Sequence, residues 1–547
     1  PNRTAGFATQ SASRIPRRRL HRRIIDTGVH VGPGLVEVVM AAVVEPDVAT
    51  YQQYIDGEWA GAEDGGTYPV INPSTEEVMA VAPASTRADA RRAVAAARRS
   101  FDAGEWRLKS QLQRTQIMFQ IAEHLQEVSE DWGLLESQNA GAALRKTSVV
   151  DVPLAIEWFR SMAEQALGVP WYEPLPWIDS PYVSWNFVQR EPVGVCAGII
   201  PWNYPLIFAM WKIAPALAMG NSIVLKPAPQ TPLSALAVAR AIDETGLLPR
   251  GVLNVVTGDR VDAGIELVEN PDVDKVAFTG STATGRKILA AAAPTIKKVT
   301  LELGGKSANI VCPDADLDIA VDGALFGTFF HQGQMCESGT RLFVHDDIYD
   351  TFVDRLVDGA ASLRVGDAAD FDTQVGPVIN RAQYDLILSA IDRAKQEGAT
   401  VACGGGRAPN AGDRGFFIQP TVLTDVRPDS HAGTEEIFGP VLAVQRWSDL
   451  GEVIHRANRT IYGLAGGVWS RDTRGAIEIA KQLRTGTVWI NDWHLLNPLA
   501  PFGGYKQSGI GREHGREGLL AYTEVKHIHV DQGVPRSERY FWDVLLG

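Results

Sequence analysis

The chain has 547 residues, of which 45% are hydrophobic and 21% are charged, proportions typical of a folded globular protein. Its 52 basic and 65 acidic residues give a net charge of −13, which argues against a nucleic-acid partner, whose footprint would be basic. Four scattered cysteines exclude a disulfide framework, and Lys212 interrupts the best candidate for a membrane span, residues 208–219. We therefore expect three or four domains, a reducing compartment and no membrane partner.

The first 25 residues differ in charge from the rest of the chain. They hold seven arginines and no acid, which leaves the remaining residues with a net charge near −20. An acid-free, arginine-rich segment resembles a mitochondrial transit peptide. The alternatives are a disordered tail, or translated sequence upstream of a later start such as Met40. We assign residues 1–50 to a basic extension outside the fold and expect a cytoplasmic protein, or a mitochondrial matrix protein if residues 1–25 are a transit peptide.

Helices come first in the folded part, and a regular alternation of strands and helices follows. Apolar residues three and four positions apart predict amphipathic helices over Ala88–Phe101 and Gln113–Val128. Between residues 193 and 305, apolar strands alternate with helices such as Pro232–Glu244 and Gly285–Ala293. The predicted strands are Val193–Ile200, Ser222–Leu225, Val252–Val256, Lys275–Phe278 and Lys298–Leu303. This alternation indicates a parallel, doubly wound α/β sheet.

Three of these strands end in loops that suit a nucleotide. The loops are Pro201–Asn203, Lys226–Pro229 and Thr279–Thr282, and ligands of such sheets lie beyond the carboxyl ends of the strands. The stretch Gly280–Gly285 has the glycine spacing of a phosphate loop, but Arg286–Lys287 follows where that loop requires Lys and then Ser or Thr. We therefore reject ATP binding by such a loop. A pyrophosphate at the N-terminus of the following helix remains compatible with the sequence.

Two residues are candidates for covalent chemistry. Cys336 lies in a Gly- and Gln-rich break after an apolar helix, where a cysteine can ionise and act as a nucleophile. The alternative is a small buried hydrophobe, the role that we expect for Cys196, Cys312 and Cys403. Glu302 interrupts an apolar strand just before two glycines. It is either a base whose pKa the apolar surroundings raise or half of a structural ion pair.

Metal-dependent and hydrolytic chemistry find no support in the sequence. The eleven histidines form no HExxH motif and no cluster with cysteine, so we expect no metal site. His527 and His529 predict one face of a strand in preference to a zinc site. No GxSxG motif occurs, which excludes hydrolases of the nucleophile-elbow type.

Seven motifs taken together resemble those of the aldehyde dehydrogenase superfamily, in the same order and with similar spacing. Leu301–Ser307 resembles the glutamate signature of that family, and Phe329–Cys336 resembles its cysteine signature. The other five are Pro201–Asn203, Lys226–Pro232, Phe278–Ser281, Glu436–Pro440 and Pro501–Lys506. The resemblance covers residues 51–532. It implies an α/β architecture with a doubly wound parallel-sheet cofactor domain, an α/β catalytic domain and a small β oligomerisation element.

The resemblance also implies how these parts divide the chain. The cofactor-binding domain would contain residues 51–173 and 193–304, and the catalytic domain residues 305–515. The oligomerisation element and C-terminal tail would contain residues 174–192 and 516–547.

The chemistry that the resemblance implies is hydrolytic oxidation of an aldehyde with NAD(P)+. Cys336 would attack the carbonyl as a thiolate and form a thiohemiacetal, whose oxyanion the Asn203 side-chain amide and the Cys336 backbone N–H would hold. After hydride transfer to a nicotinamide, Glu302 would act as the general base that lets water release the acid from the thioester. Lys212, one helical stretch beyond Asn203, would lie near the proton path.

NAD is the cofactor that the resemblance implies, with its contacts at the ends of the predicted strands. Lys226 and Glu436 would bind ribose hydroxyls, and Phe438 would lie against the nicotinamide ribose. The remaining contacts would be Ile199, Ile200, Pro201, Trp202, Pro229, Gly258, Phe278, Gly280, Ser281, Gly285 and Leu303. Pro229 stands where members that prefer NAD commonly carry an acid for the adenosine 2′-hydroxyl, so the sequence leaves NADP open as well.

The residues that match substrate positions of the family predict an aromatic and apolar tunnel. They are Tyr204, Phe208, Trp211, Phe330, Trp493, Leu496 and Phe502. Such a tunnel suits a medium aliphatic or aromatic aldehyde, and an aromatic box for a trimethylammonium aldehyde is a second interpretation.

Glu337 departs from the family pattern, which has small or apolar residues after the cysteine. We expect its carboxylate to point into solvent. The alternative is a carboxylate turned toward the thiol, which would raise the pKa of Cys336 or select a cationic aldehyde.

The sequence also predicts a homo-oligomer, either a dimer or a tetramer. By the resemblance, residues 182–188 and a strand near residues 522–530 would form the small bridging element. Residues 182–188 alternate like a strand but have no obvious place in their own sheet, and we expect this strand to pair with an edge of another subunit. The apolar segment 540–547 would dock on a neighbouring subunit.

Two alternative functions remain open from the sequence. In a CoA-acylating dehydrogenase, CoA takes the acyl group in place of water, but such members generally lack the glutamate base that Glu302 supplies here. A catalytically silent binding protein on the same fold is disfavoured by the presence of Cys336, Glu302 and Asn203.

Overall fold

The computed structural model describes residues 48–547. Residues 1–47, on which the prediction of a transit peptide or basic tail falls, lie outside the described part. The predicted extension runs slightly too far, because Ala49 and Thr50 form a short strand that pairs with Ala80 and Val81.

The strands are Ala49–Thr50 (β1), Gln53–Ile55 (β2), Glu58–Ala60 (β3), Thr67–Asn72 (β4), Glu77–Pro83 (β5), Tyr172–Pro174 (β6), Ser184–Pro192 (β7), Val195–Ile199 (β8), Ser222–Lys226 (β9), Leu253–Val255 (β10), Lys275–Thr279 (β11), Lys298–Glu302 (β12), Ala308–Val311 (β13), Arg341–His345 (β14), Thr400–Cys403 (β15), Thr421–Thr424 (β16), Val441–Trp447 (β17), Ala465–Trp469 (β18), Thr487–Ile490 (β19), Gly509–Ile510 (β20) and Thr523–Asp531 (β21).

The α-helices are Arg87–Ala103 (α1), Gln111–Val128 (α2), Trp132–Ala140 (α3), Leu144–Lys146 (α4), Val152–Gln165 (α5), Pro205–Ala218 (α6), Leu233–Glu244 (α7), Asp262–Glu269 (α8), Thr282–Ala292 (α9), Leu317–Phe329 (α10), Tyr349–Ser362 (α11), Arg381–Gln396 (α12), His431–Thr434 (α13), Leu450–Asn458 (α14), Thr473–Ala480 (α15), Gly515–Leu520 (α16) and Tyr540–Leu546 (α17).

The predicted parallel sheet is present and contains all five predicted strands. Its order is β20-β12-β11-β8-β9-β10-β2-β3, and the five central strands from β12 to β10 are parallel. The register places Ile199 opposite both Phe278 and Lys226, and Thr279 opposite Glu302. The carboxyl ends of these strands therefore meet at one edge of the sheet, as the alternating pattern predicts.

Helices cover both faces of this sheet, which confirms the doubly wound fold. Successive residues of each strand enter opposite layers: Ala277 packs with α2, α5, α6 and α7, whereas Val276 and Phe278 pack with α1, α8 and α9. Because both faces are buried, the strands consist mostly of apolar residues and do not alternate regularly between apolar and polar residues. This two-residue period decides which side chains near the edge can reach α6.

A second sheet carries the other half of the fold. Its order is β15-β16-β17-β14-β13-β18-β19, and every pair except β15 with β16 is parallel. The loop that contains Cys336 joins α10 to β14, and Glu436 lies just before β17. The amino ends of this sheet therefore face the loops at the carboxyl ends of the first sheet.

The predicted bridging strands form a third, small sheet with the order β21-β7-β6. Strand β7 pairs with β21 over nine residues and with β6 on its other side, so β7 is not itself the free edge that would pair with another subunit. Its partner β21 lies at the edge instead. His527 and His529 share one face of β21, where both rings contact Oδ1 of Asn186 at 2.9 and 3.0 Å.

The predicted domain boundaries stay a prediction, although the strands of each sheet come from segments of the chain that begin and end near those boundaries.

Among residues 48–547, no helix is long and apolar enough to cross a membrane.

A slot made by three glycines anchors the segment that follows β19. The Trp493 ring is fully buried and packs against Gly327 of α10, Gly339 and Gly467 of β18. A Cβ on Gly327 would lie 3.0 Å from the ring, and a Cβ on Gly467 would overlap it. The absence of side chains at these positions is therefore what admits the indole ring.

We predict that Gly467→Ala destabilises the protein by about 1–3 kcal/mol, because the added methyl group overpacks a core that has no room to relax. Urea unfolding would measure the change. The matched control is Gly406→Ala, whose added Cβ meets no atom within 4 Å. Equal stability of the two variants would contradict the proposed role of the slot.

Candidate active site

The Cys336 loop is held in place by contacts from three other parts of the chain. It turns through Gln332 and Gly333, which have φ of 52° and 67°, and Gly333 passes so close to the carbonyl of Gly439 that a side chain would not fit. The Asn203 amide donates a hydrogen bond to the carbonyl oxygen of Gln334 at 2.8 Å. Ile379 N–H donates to the side chain of Gln334 at 3.1 Å. These bonds fix Cys336 against the first sheet.

Cys336 lies in the wall between two cavities. The larger, of about 270 Å³, opens beyond the carboxyl ends of the first sheet. Its lining residues are Pro201, Trp202, Asn203, Phe208, Thr279, Gly280, Ser281, Glu302, Leu303, Gly304, Cys336, Gln383, Leu386, Glu436, Ile437 and Phe438. Glu302, Asn203 and Cys336 are thus brought together, and we call this space the sheet-edge cavity.

The smaller cavity, of about 70 Å³, lies on the other side of Cys336 and is lined mostly by aromatic and other apolar side chains. Its lining residues are Val150, Asp151, Leu154, Trp158, Asn203, Tyr204, Ile207, Phe208, Trp211, Phe330, Met335, Cys336, Glu337, His494, Leu496 and Phe502. We call it the aromatic cavity. Six of the seven residues that the sequence predicts for the substrate line it.

Trp493 is the seventh, and the expectation that it lines this cavity is wrong. Its ring fills the glycine slot, with no exposed surface, and the next residue takes the lining position. His494 adopts a φ of 61° and turns its imidazole into the cavity wall. Sequence reasoning missed His494 because neither its neighbours nor its spacing indicates this turn.

Glu302 ends β12 and is 3% exposed, and neither of its carboxylate oxygens has a hydrogen-bond partner in the described part of the chain. It lies on the α6 face of the strand, where it borders the sheet-edge cavity. Burial, and then the charge of Glu513, raise the pKa of Glu302 well above that of a free glutamate. Such a carboxylate can accept a proton from water within the cavity.

Lys212 lies behind Glu302 and does not border either cavity. Its ammonium group forms a buried ion pair with Glu513 and donates to the Thr279 hydroxyl at 2.8 Å. The sequence placed Lys212 near the proton path but missed Glu513, which lies 301 residues away along the chain. The ion pair of Lys212 with Glu513 is therefore a polar group beside Glu302, whose other surroundings are apolar.

The expectation that Glu337 points into solvent is wrong. Glu337 is 4% exposed, and its carboxylate accepts a hydrogen bond from the Cys336 thiol, with Sγ and Oε2 3.1 Å apart. Its other oxygen lies 3.3 Å from Nδ1 of His494. Burial, followed by the charge of Glu337, raises the pKa of the Cys336 thiol well above its usual range.

Several groups around the sheet-edge cavity suit a dinucleotide. Lys226 ends β9 and does not itself line the cavity. Its ammonium group is buried and, among residues 48–547, makes only long contacts of 3.4 Å, with the carbonyls of Pro227 and Gly258. Burial lowers the pKa of Lys226 to about 8. One oxygen of Glu436 accepts from Gly305 N–H at 2.9 Å, and burial raises the pKa of Glu436 to about 7. An ammonium group and a carboxylate with spare hydrogen-bonding capacity can serve ribose hydroxyls.

The helix after β11 provides a second suitable feature. Helix α9 begins three residues earlier than predicted, and the Ser281 hydroxyl caps it by accepting from Thr284 N–H. Gly280 and Ser281 thus place a helix N-terminus at the cavity, where free N–H groups favour an anion.

Two further contacts shape the wall of the cavity. The Trp202 and Phe438 rings meet edge to face at 5.3 Å, and the Gln383 side chain donates to the carbonyls of Ile437 and Phe438.

The remaining predicted cofactor residues do not line the sheet-edge cavity. Ile199 ends β8 and Ile200 follows it, and Gly258 and Pro229 lie near Lys226. Gly285 packs under Leu303. Phe278 is 5% exposed in the α1, α8 and α9 layer, opposite to the face that Thr279 presents to Lys212. Its ring lies against Gly280, which borders the cavity, and its contact with the cofactor stays a prediction.

Within the described residues, no group of three or more His, Cys, Asp or Glu side chains could hold a metal ion. The chemistry of the site rests on a thiol, carboxylates, an amide and an ammonium group.

Comparison with known proteins agrees with this arrangement. The family model described as "Aldehyde dehydrogenase family" matches residues 59–528. A betaine aldehyde dehydrogenase from Bacillus subtilis is 44% identical over 479 residues, which cover 87% of this chain and 96% of that protein. A structure of an NAD+ complex of aldehyde dehydrogenase from Bacillus cereus is 43% identical and has a TM-score of 0.85, covering 88% of this chain and 97% of that one.

A second similar structure is that of betaine aldehyde dehydrogenase from Staphylococcus aureus in complex with NAD+, with 42% identity and a TM-score of 0.85. It covers 88% of this chain and 95% of the other. The match of the family model to most of the chain, the ordered motifs and the shared fold lead to one conclusion. The chain belongs to the aldehyde dehydrogenase family, whose members are oxidoreductases acting on aldehyde groups.

Proposed function

We propose that this protein oxidises an aldehyde to the carboxylic acid with NAD+, through a covalent intermediate on Cys336. The observation that carries the proposal is the position of Cys336 in the wall shared by the sheet-edge and aromatic cavities. A substrate in the aromatic cavity can present its carbonyl to the thiolate while a dinucleotide approaches from the other side. Glu302 borders only the sheet-edge cavity.

The residues around Cys336 support the first half of the reaction. As the sulfur bonds to the carbonyl carbon, negative charge develops on the carbonyl oxygen. Asn203 borders both cavities, and its amide nitrogen has a second hydrogen beyond the one given to Gln334. We assign this hydrogen, together with the Cys336 backbone N–H, to the stabilisation of the oxyanion.

Glu302 supports the second half. Glu436 and Phe438, which line the sheet-edge cavity, would hold the nicotinamide nucleotide, whose chemistry when bound is to accept the hydride lost as the thiohemiacetal becomes a thioester. Glu302 would then take a proton from water as the water oxygen attacks the thioester carbon. The bond between that carbon and the Cys336 sulfur would break, which regenerates the Cys336 thiolate and releases the acid. The ion pair of Lys212 with Glu513 lies beside Glu302 and is the group through which we expect the proton to leave the cavity.

We predict that Glu302→Gln forms one equivalent of NADH rapidly and then stops, because acylation needs no base for water but deacylation does. Cys336→Ala should give neither the burst nor the steady rate. Absorbance of NADH after rapid mixing would measure both, with release of free acid as the product check. Full steady turnover by Cys336→Ala, or acyl-CoA with no free acid, would contradict the mechanism.

The dinucleotide is proposed to be NAD+, with NADP+ accepted as well. Lys226 and Glu436 support ribose binding, and the NAD+ bound to the similar structures supports the choice of cofactor. Pro229, in the loop after β9, leaves no carboxylate at that position to repel a 2′-phosphate.

We predict that Pro229→Glu lowers kcat/KM for NADP+ at least about tenfold relative to NAD+, which corresponds to about 1.4 kcal/mol of added repulsion. Initial rates with both cofactors would measure the ratio, and Pro229→Gln is the matched neutral control. A ratio that changes equally in both variants would show that charge at this position does not select the cofactor.

The aromatic cavity supports a medium aliphatic or aromatic aldehyde as the substrate. Its walls are mostly apolar and include the rings of Trp158, Trp211 and Phe502, and burial of apolar surface drives binding in such a space. The carboxylates that reach it are already paired, Asp151 with Lys146 at 2.5 Å and Glu337 with His494. This pairing makes a trimethylammonium aldehyde the weaker of the two interpretations.

We also propose that the protein is a homo-oligomer, a dimer or a tetramer, assembled through its small sheet. Strand β21 pairs with β7 on one side, and its other edge has no strand beside it among residues 48–547. The C-terminal helix α17 exposes a run of large apolar side chains, with Val544 87% and Leu545 88% exposed. A second copy would cover both features.

We predict that truncation after Gln532 weakens assembly, because it removes the exposed apolar helix. Sedimentation at several concentrations would report the change relative to the 59.4 kDa single chain. An unchanged assembly and an unchanged melting temperature would contradict the docking of the tail.

Four free cysteines support a reducing compartment, and we propose the cytoplasm, with the mitochondrial matrix as the alternative already stated for residues 1–25.

A further inference from the structure

The thiol of Cys336 does not lie free in its cavity. It donates to Oε2 of Glu337 at 3.1 Å, and the side chain of Glu337 is only 5% exposed. A carboxylate in this position stabilises the protonated thiol twice. It accepts the hydrogen bond that only the thiol can donate, and it repels the negative charge that the thiolate would carry.

His494 holds the carboxylate in this orientation. Its Nδ1 lies 3.3 Å from Oε1 of Glu337, and its side chain is 3% exposed. The residue follows Trp493, whose ring is locked between three glycines, so the imidazole has little freedom to move away. The Glu337 carboxylate is therefore fixed by the fold in contact with the reactive sulfur.

We propose that Glu337, oriented by His494, is a positioning residue that keeps Cys336 as the protonated thiol in the resting enzyme. The proposal rests on the nucleophilic role of Cys336 proposed above. Its consequence is protection: the thiolate is the form that reacts with electrophiles and oxidants, so a cysteine held as the thiol is spared until a substrate is present.

Other charged and titratable groups near Cys336 do not replace this contact. Glu302 at the end of β12 and Glu436 before β17 also disfavour the thiolate, although neither forms a hydrogen bond with the sulfur in the described residues. The groups that face Glu337 or its surroundings from the other elements are Lys146 of α4, Asp151, Tyr204 before α6, and His331 of the Cys336 loop. Lys146 is itself paired with Asp151.

The experiment measures alkylation of Cys336 by iodoacetamide across the neutral and alkaline pH range, in the full chain without aldehyde or cofactor. Peptide mass spectrometry separates Cys336 from Cys196, Cys312 and Cys403. We expect the wild-type rate to rise only above the ordinary thiol range, which centres on a pKa of about 8.5. Glu337→Gln should shift the profile to lower pH and raise the rate at neutral pH about tenfold, the change produced by one pKa unit.

Two further variants make the result specific. Glu337→Asp keeps the charge and should stay closer to the wild type than Glu337→Gln does. Glu157→Gln removes the same charge from an exposed position of α5 and should leave the profile unchanged. A Glu337→Gln profile that is unchanged, or that moves to higher pH, overturns the proposal, since the latter result would make Glu337 an activating base.

The test does not depend on turnover. If the protein reduced no NAD+, the alkylation profiles would still report on Glu337. An alkylation result that overturns the role of Glu337 would in turn leave the outcome of the NADH burst experiment unaffected. If Glu337→Gln does not fold, the wild-type profile decides. A wild-type midpoint near that of an ordinary cysteine overturns the proposal. A higher midpoint that falls slightly in Glu337→Asp, whose shorter side chain weakens the contact but keeps the charge, supports it.

Discussion

The active site depends on one constraint, the meeting of the carboxyl ends of five parallel strands with the Cys336 loop of the second sheet. Two hydrogen bonds join the loops of the first sheet to those of the second sheet where they meet. The Asn203 side chain donates to the carbonyl of Gln334, and Gly305 N–H donates to the Glu436 carboxylate. The strand register brings Glu302 and Thr279 level with each other at the same edge. Without this alignment the thiol, the carboxylate and the space for a dinucleotide would lie on separate surfaces.

The groups that this constraint brings together are costly to bury. Glu302 has no hydrogen-bond partner in the described part of the chain, and Lys226 has only long contacts. Such groups reduce stability by themselves, and they are typical of sites where a ligand or a reacting molecule completes the bonding. The fold supplies the compensation elsewhere, through strands and helices whose side chains are buried on both faces of the first sheet.

Much of this could be predicted from the sequence. Strands buried on both faces consist mostly of apolar residues, so the five central strands and the sheet edge that borders the cavity follow from the sequence pattern alone. Cys336 and Glu302 stand out because each is reactive and lies in unusual surroundings.

The remaining features depend on contacts between distant parts of the chain. The direction of Glu337 is set by His494, 157 residues away, and the position of His494 by the glycine slot around Trp493. Only the assembled fold reveals these contacts. The central claim, a covalent acyl intermediate on Cys336, is tested most directly by peptide mass spectrometry of Glu302→Gln mixed with an aldehyde and NAD+. The account predicts the acyl mass on Cys336 only when NAD+ is present, and an unmodified Cys336 alongside NADH formation would contradict it.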